Sequence, residues 1–194
     1  MSRSAQITRE TSETSIRAAV TLESRGSADI ATRLPFLDHM LTTLARHARI
    51  DIALACEGDI HIDDHHTVED VALTLGAAID KALSDRRGIR RFASAYAPLD
   101  ESLARAVIDL SGRPCAVINL DLRREKLGDV AAENLTHFFR SLATALRAAL
   151  HIDVLRGDND HHKAEAAFKS LALALREAVA LDGSTEIPST KGSL

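Results

Sequence analysis

The chain has 194 residues, with 45% apolar and 27% charged side chains and 24 basic against 28 acidic groups, a net charge of −4. That balance is globular and excludes disordered, collagenous and low-complexity classes. The mild acidity argues against a nucleic-acid footprint, which needs a basic stripe. No apolar run approaches the ~20 residues that span a bilayer. The polar N-terminus lacks the apolar segment of a secretory signal. Two cysteines, Cys56 and Cys115, give neither a disulfide framework nor a paired metal motif. A cytoplasmic protein of one compact unit, with no nucleic-acid or membrane partner, is the expectation.

In chain order, alternation or β-branched residues predict strands at Ile16–Leu22 and Ile50–Cys56. Between them Leu37, Met40, Leu41 and Leu44 form a 3.6-period stripe, so 37–48 is a helix. A second stripe of Val68, Val71, Leu75, Ile79 and Leu83 predicts a helix to Leu83. Strands follow at Leu103–Leu110 and Ala116–Leu122, a helix at 131–149, a strand at Leu150–Leu155 and a helix at 162–181. The tail from Asp182 carries Gly, Ser, Thr and Pro and reads as non-helical.

The two halves align as an internal repeat. His39 matches His137 at an offset of 98, and His65-His66-Thr67-Val68-Glu69 matches His161-His162-Lys163-Ala164-Glu165 at an offset of 96. The unit reads ββαβα, which predicts an α+β fold with pseudo-two-fold symmetry, its helices packed between or against mixed sheets. Residues 1–92 form the first repeat, 93–183 the second, and 184–194 a tail.

His-His-x-x-Glu at a helix start is a metal-ligand pattern, because residues three and four apart share a helix face. Adjacent histidines diverge by about 100° on a helix, so the pair serves two different ions unless the helix has not yet begun. His39, His65, His66, Glu69, His137, His161, His162 and Glu165 supply ligands for two ions with positions left open. Imidazole with carboxylate suits Mn, Fe, Co, Ni or Zn, with mixed octahedral sites favouring Mn or Fe. One such motif arises by chance at roughly 0.02 in this composition, two at about 10⁻⁴. A single copy reads equally well as capping or surface histidines; two in register do not. Symmetry predicts one site from His39, His66 and Glu69 with a histidine of the second motif. Its mate takes His137, His162 and Glu165 with a histidine of the first. Which of His65 and His161 crosses over stays open.

Asp59, Asp63, Asp64, Asp158 and Asp160 are candidate partners for ring N–H groups, and read equally well as turn residues and N-caps. His61 and His151 read as structural or solvated, whereas His47, two turns beyond His39, can face its site. Lys169 follows Glu165 by one turn and can reach back to it. Arg90, Arg91, Arg113 in Ser-Gly-Arg-Pro and Lys191 in Ser189-Thr190-Lys191-Gly192 suit a phosphate, although each by itself reads as surface charge.

These motifs, with Arg9-Glu10-Thr11-Ser12-Glu13-Thr14, Phe36-Leu37-Asp38-His39-Met40-Leu41, Ala97-Pro98-Leu99-Asp100-Glu101 and His137-Phe138-Phe139, resemble the imidazoleglycerol-phosphate dehydratase family over nearly the whole chain. The resemblance implies a histidine-biosynthesis hydro-lyase that converts imidazole-glycerol phosphate to imidazole-acetol phosphate. It implies two Mn²⁺ ions and a homo-oligomeric twenty-four-subunit shell with active sites at subunit contacts. Glu13 and His47 would contact substrate hydroxyls, and Lys169, Arg91, Arg113, Ser189 and Lys191 would hold the substrate, the tail included. No room remains for the phosphatase domain fused in many bacterial relatives, so the chain is expected to be monofunctional. The family usually carries Gly where Arg33 and Ala93 stand. The expected route binds both ring nitrogens as a di-metal imidazolate that expels the hydroxyl. Catalytic candidates are Glu13, His47, Glu69, Glu165 and Lys169, with Glu13, His47, Glu165 or metal-bound water as proton shuttle. The competing readings are a dinuclear metallohydrolase acting on a phosphoester and a non-enzymatic metal-storage protein.

Overall fold

The computed structural model describes residues 3–192 and 194. The first half runs β1 (Ser4–Glu10), β2 (Thr14–Thr21), β3 (Ala28–Ala31), α1 (Pro35–Ala48), β4 (Asp51–Gly58) and α2 (His65–Leu83). The second runs β5 (Phe92–Leu99), β6 (Ser102–Asp109), β7 (Cys115–Asn119), the short ribbon β8 (Lys126–Leu127) and β9 (Val130–Ala131), α3 (Ala132–Leu146), β10 (Ala149–Arg156) and α4 (Asp160–Val179). Each half builds a four-stranded mixed sheet, ordered β1-β2-β4-β3 and β5-β6-β10-β7. In both, the third strand lies parallel to the strand that follows the first helix. The α+β class and the duplication are therefore as expected; each half's main sheet holds one strand more than ββαβα, and the second half adds the β8–β9 ribbon.

The two sheets enclose the helices. α2 lies on β1 and β2 and packs against α3, while α4 lies on β5 and β6 and packs against α1. The apolar stripes read from the sequence become a single core: Leu37, Met40, Leu41, Leu75, Ile79, Phe138, Phe139 and Phe168 are all fully buried. Three of the five phenylalanines meet there, with Phe139 and Phe168 centroids 4.6 Å apart. Alanines such as Ala72, Ala143 and Ala174 fill the remaining interhelical positions. The closest approach is at Gly76 on α2, where a Cβ would lie 2.8 Å from the Leu142 carbonyl oxygen of α3.

Several boundaries differ from the sequence expectation for physical reasons. The 131–149 helix stops at Leu146 because Arg147 turns left-handed (φ 52°) and its N–H returns to Ala143 and Thr144. Arg49 ends α1 the same way (φ 54°). Neither cap is a glycine, the usual stop signal. The β7 strand ends at Asn119 instead of Leu122, since its partner β10 pairs with it only from Cys115 to Asn119. β1, β3 and β5 escape the reading because all are edge strands. β1 is dominated by polar residues, β3 has four residues, and β5 carries Pro98, which edges tolerate. Among the described residues no helix is long and apolar enough to cross a membrane. The described part of the tail is irregular, and Pro188 accepts a hydrogen bond from Arg91 at 2.7 Å.

Candidate metal centre

The topology that crosses the helices between halves also brings the histidines together in two cages. His65 and Glu69 share the first turns of α2, and His137 reaches them from α3. His65 Nε2 stands 3.6 Å and His137 Nε2 3.2 Å from the Glu69 carboxylate. The His65 and His137 rings stack at 4.8 Å. The second cage is its pseudo-symmetric counterpart: His161 and Glu165 on α4, His39 on α1. Here Glu165 Oε2 lies 3.1 Å from His39 Nε2 and 3.3 Å from His161 Nε2. In each trio the donor atoms fall within 4.8 Å of one another.

The ligand grouping is therefore crossed relative to the expectation. His39 joins Glu165, not Glu69, and His137 joins Glu69, not Glu165. The cause is the packing of α1 on α4 and of α2 on α3, which pairs each half's first helix with the other half's second. The crossing histidines, His65 and His161, stay with their own glutamates at i,i+4.

His66 and His162 project away from their own cages, as adjacent helical positions must. His66 Nδ1 contacts Asp59 at 3.0 Å, and His162 Nδ1 contacts Glu101 at 2.7 Å. A carboxylate on Nδ1 leaves Nε2 as the free donor atom and fixes the ring, the usual support for a metal-binding imidazole. The hydrogen bonds to Asp59 and Glu101 also raise the pKa of His66 and His162 respectively. Glu101 is held well below the carboxylate range by His162 and by the Asn159 N–H. Glu165 is pulled both ways: burial pushes it up, but the hydrogen bonds from Lys169 and His39 hold it below its ordinary value. Lys169 Nζ sits 2.8 Å from Glu165 Oε1, the reach-back expected from its spacing.

Asp59 and Asp64 are partners as anticipated, Asp64 indirectly. Its carboxylate accepts from Asn134 Nδ2 at 2.8 Å, and Asn134 Oδ1 accepts from His65 Nδ1 at 3.0 Å. Asp63 accepts the His65 backbone N–H, and Asp160 accepts the Arg123 and Arg124 N–H groups. Sequence reading missed Asn134 and Glu101 as ring-orienting residues. Glu101 stands some sixty positions from His162, and only its place in a recognisable Leu-Asp-Glu turn could have flagged it.

The remaining candidates divide into two places. Glu13, at the β1–β2 turn, has its carboxylate 3.7 Å from His66 Nε2. His47 feels Lys169 and Glu165, and burial first and then Lys169 lower its pKa. Arg91, Arg113, Ser189 and Lys191 gather elsewhere. Arg91 pairs with Asp109 at 2.7 Å, donates to Pro188 and has its N–H on Ala178 near the end of α4. Gly112, beside Arg113, packs against Leu194. Ala178 lies thirteen residues beyond Glu165, about 20 Å along the helix axis. Within one chain the basic group and the cages are thus separated.

The donor sets fit a divalent first-row cation. Two imidazoles and a carboxylate converge in each cage, and His137 Nε2 is buried with no hydrogen-bond partner despite its proximity to Glu69.

Comparison with known proteins agrees with these motifs. A sequence profile described as imidazoleglycerol-phosphate dehydratase matches residues 32–175. The chain is 52% identical over 192 residues to the imidazoleglycerol-phosphate dehydratase of Chlorobium luteolum, covering 99% of this chain and 96% of that one. It is 53% identical to that of Cereibacter sphaeroides, covering 99% and 100%. It is 55% identical to that of Phytophthora nicotianae, of whose length it spans 42%. Among solved structures, imidazoleglycerol-phosphate dehydratase from Staphylococcus aureus superposes with a TM-score of 0.83 at 33% identity, covering 92% of this chain and 99% of that one.

Proposed function

This chain belongs to the imidazoleglycerol-phosphate dehydratase family of hydro-lyases, and on that premise we propose that it dehydrates imidazole-glycerol phosphate in histidine biosynthesis with two manganese ions. The observation that carries the reading is the pair of duplicated His–His–Glu cages, two cation sites suited to a substrate that offers two ring nitrogens. His65, Glu69 and His137 hold one cation, and His39, His161 and Glu165 the other. Bound there, a cation would supply Lewis acidity towards the substrate's imidazole ring.

The protein's own groups do the rest. Burial first and then Lys169 lower the His47 pKa, which favours the neutral imidazole that a proton acceptor requires. Its place is to take the carbon-bound proton. Glu13 is exposed beside His66 and holds a substrate hydroxyl as it leaves. Arg91, Arg113, Ser189 and Lys191 take the phosphate. The ~20 Å between those residues and the same chain's cages supports an active site shared between copies, one copy's tail meeting another's cages. His66 and His162, ring-fixed through Nδ1, are suited to complete a neighbour's cages through Nε2. The exposed Phe92, Tyr96, Val117 and Leu155 on the outer face of the second sheet support such association. A twenty-four-subunit shell working in the cytoplasm is the assembly this reading adopts.

Purified protein is incubated with Mn²⁺ and imidazole-glycerol phosphate, and ketone product and free phosphate are both measured. Ketone without phosphate is expected, and Glu165→Gln should lower it by about 10–100-fold. Phosphate release without ketone favours the metallohydrolase, and metal uptake with neither product favours storage.

A further inference from the structure

The two cages occupy matched positions of the repeat but differ at two of them. Three residues before His137 stands Asn134, whereas three before His39 stands Phe36. Four residues after Glu165 stands Lys169, whereas four after Glu69 stands Leu73. Both differences act on a metal ligand, and both act in the same direction.

Asn134 is 3% exposed and is pinned by Asp64, so its amide is held with Oδ1 towards His65. It accepts from His65 Nδ1, which places the ring proton there and presents the Nε2 lone pair to the cage. In the other cage the equivalent position meets His161 with a phenyl ring, edge-on at 5.3 Å. Among the described residues nothing hydrogen-bonds His161 Nδ1, so that ring is placed by packing and not by a hydrogen bond. The carboxylates differ likewise. Glu165 already has an ammonium group 2.8 Å from Oε1, which a second cation must share or displace. Among the described residues Glu69 faces no such competitor, its only ion-pair contacts there being the two histidines.

We infer that the cages are unequal: the His65–Glu69–His137 cage loads first and more tightly, with Asn134 as its positioning residue, and the His39–His161–Glu165 cage loads second against Lys169. The inference rests on the metal reading above and concerns the order and affinity of loading.

Metal-stripped protein, in its native assembly, is titrated with MnCl₂ by calorimetry, with free Mn²⁺ followed by its spin-resonance signal. Two steps of one ion per chain are expected, at least about 10-fold apart, the usual weight of an orienting partner. Glu69→Gln should erase the tight step and Glu165→Gln the weak one. Asn134→Leu should weaken the tight step by about 10-fold or more and leave the weak step in place. Lys169→Met, at a partly exposed position, should tighten the weak step, and it decides the matter should the buried Asn134 variant fail to fold. One class of two equal ions overturns the inference and leaves the metal reading standing. So does a tight step that survives Glu69→Gln but not Glu165→Gln. No binding at all overturns both.

Discussion

Lys163 is a lysine with 1% of its side chain exposed, two residues from the cage histidine His161, and its replacement by Met tests how the cage is anchored. Its Nζ donates to the Asp121 carbonyl at 2.7 Å and lies 3.2 Å from Asp160 Oδ1, a carboxylate oxygen with no other partner. Asp160 Oδ2 in turn accepts the Arg123 and Arg124 N–H groups. The three residues thus clamp the 121–124 loop to the first turn of α4, from which His161, His162 and Glu165 project. Lys163→Met keeps the stem's volume and removes the charge. Removing one partner of a buried pair costs about 3–5 kcal/mol. Asp160 retains two backbone N–H donors and Asp121 is largely exposed, so the lower end, about 3 kcal/mol, applies. For a domain of this size that is a melting shift of roughly 6–12 °C, compared at equal protein concentration because assembly contributes. Lys163→Met with Asp160→Asn removes both charges and should recover part of the loss.

The pH dependence has a definite sign. Burial pushes the Asp160 pKa up, but the Arg124 and Arg123 amides and Lys163 outweigh it, so the folded value is depressed. Its contribution is therefore present at neutral pH and is lost as pH falls through the folded value, below about 4. Lys163→Met weakens that depression, so the acid limb of the stability curve should begin at higher pH. A melting shift under about 2 °C, less than 1 kcal/mol, with an unmoved acid limb, would refute the clamp.

Three further outcomes follow from the packing. Gly76→Ala gains roughly 1 kcal/mol of helix propensity but drives a methyl to within 3.0 Å of three atoms of α3. Overpacking of about 1–3 kcal/mol should win, and a stabilised variant in urea melts would show slack between α2 and α3. Cys56 is 2% exposed and burial pushes its thiol up to about 12. Thiol reagents at pH 8 should leave it unmodified until the protein unfolds, and rapid labelling of Cys56 in the native state would sink that reading. Arg33 holds a left-handed φ of 66°, a conformation that glycine adopts without strain. Arg33→Gly relieves about 1 kcal/mol of strain, loses a similar amount to glycine's backbone entropy and gives up the exposed contact with Glu57, worth less than about 1 kcal/mol. Stability should fall by no more than about 1 kcal/mol; a change beyond about 1.5 kcal/mol would show that another term governs the turn.

The reach of the sequence is clearest at the helices. Their apolar stripes, from Leu37 to Leu44 and from Val68 to Leu83, are long enough for periodicity to override single residues, and both face the core. The matched histidine motifs were equally legible, since i and i+4 spacing on one helix is local geometry. What escaped was set by tertiary pairing. β1 alternates Gln6, Thr8 and Glu10 outward with Ala5, Ile7 and Arg9 inward, a pattern whose meaning depends on β2 beside it. The arginine caps at Arg49 and Arg147 carry no glycine to announce them.

The ligand grouping shows the same limit at the site. An internal repeat says which residues correspond; it is silent on whether corresponding residues meet. In a duplicated fold the symmetric solution has two forms: each half keeps its own ligands, or the halves exchange a helix. Packing decides between them. α1 lies on α4 and α2 on α3, so His39 and His137 each cross to the other half's glutamate. The exchange also makes divergence at one repeat position act on the other half's motif. Asn134 belongs to the second repeat, yet it orients His65 of the first. Phe36 belongs to the first, yet it packs on His161 of the second. A mutation in either half therefore tunes the opposite motif's cage, and two cages that began as copies can become different without either losing a ligand.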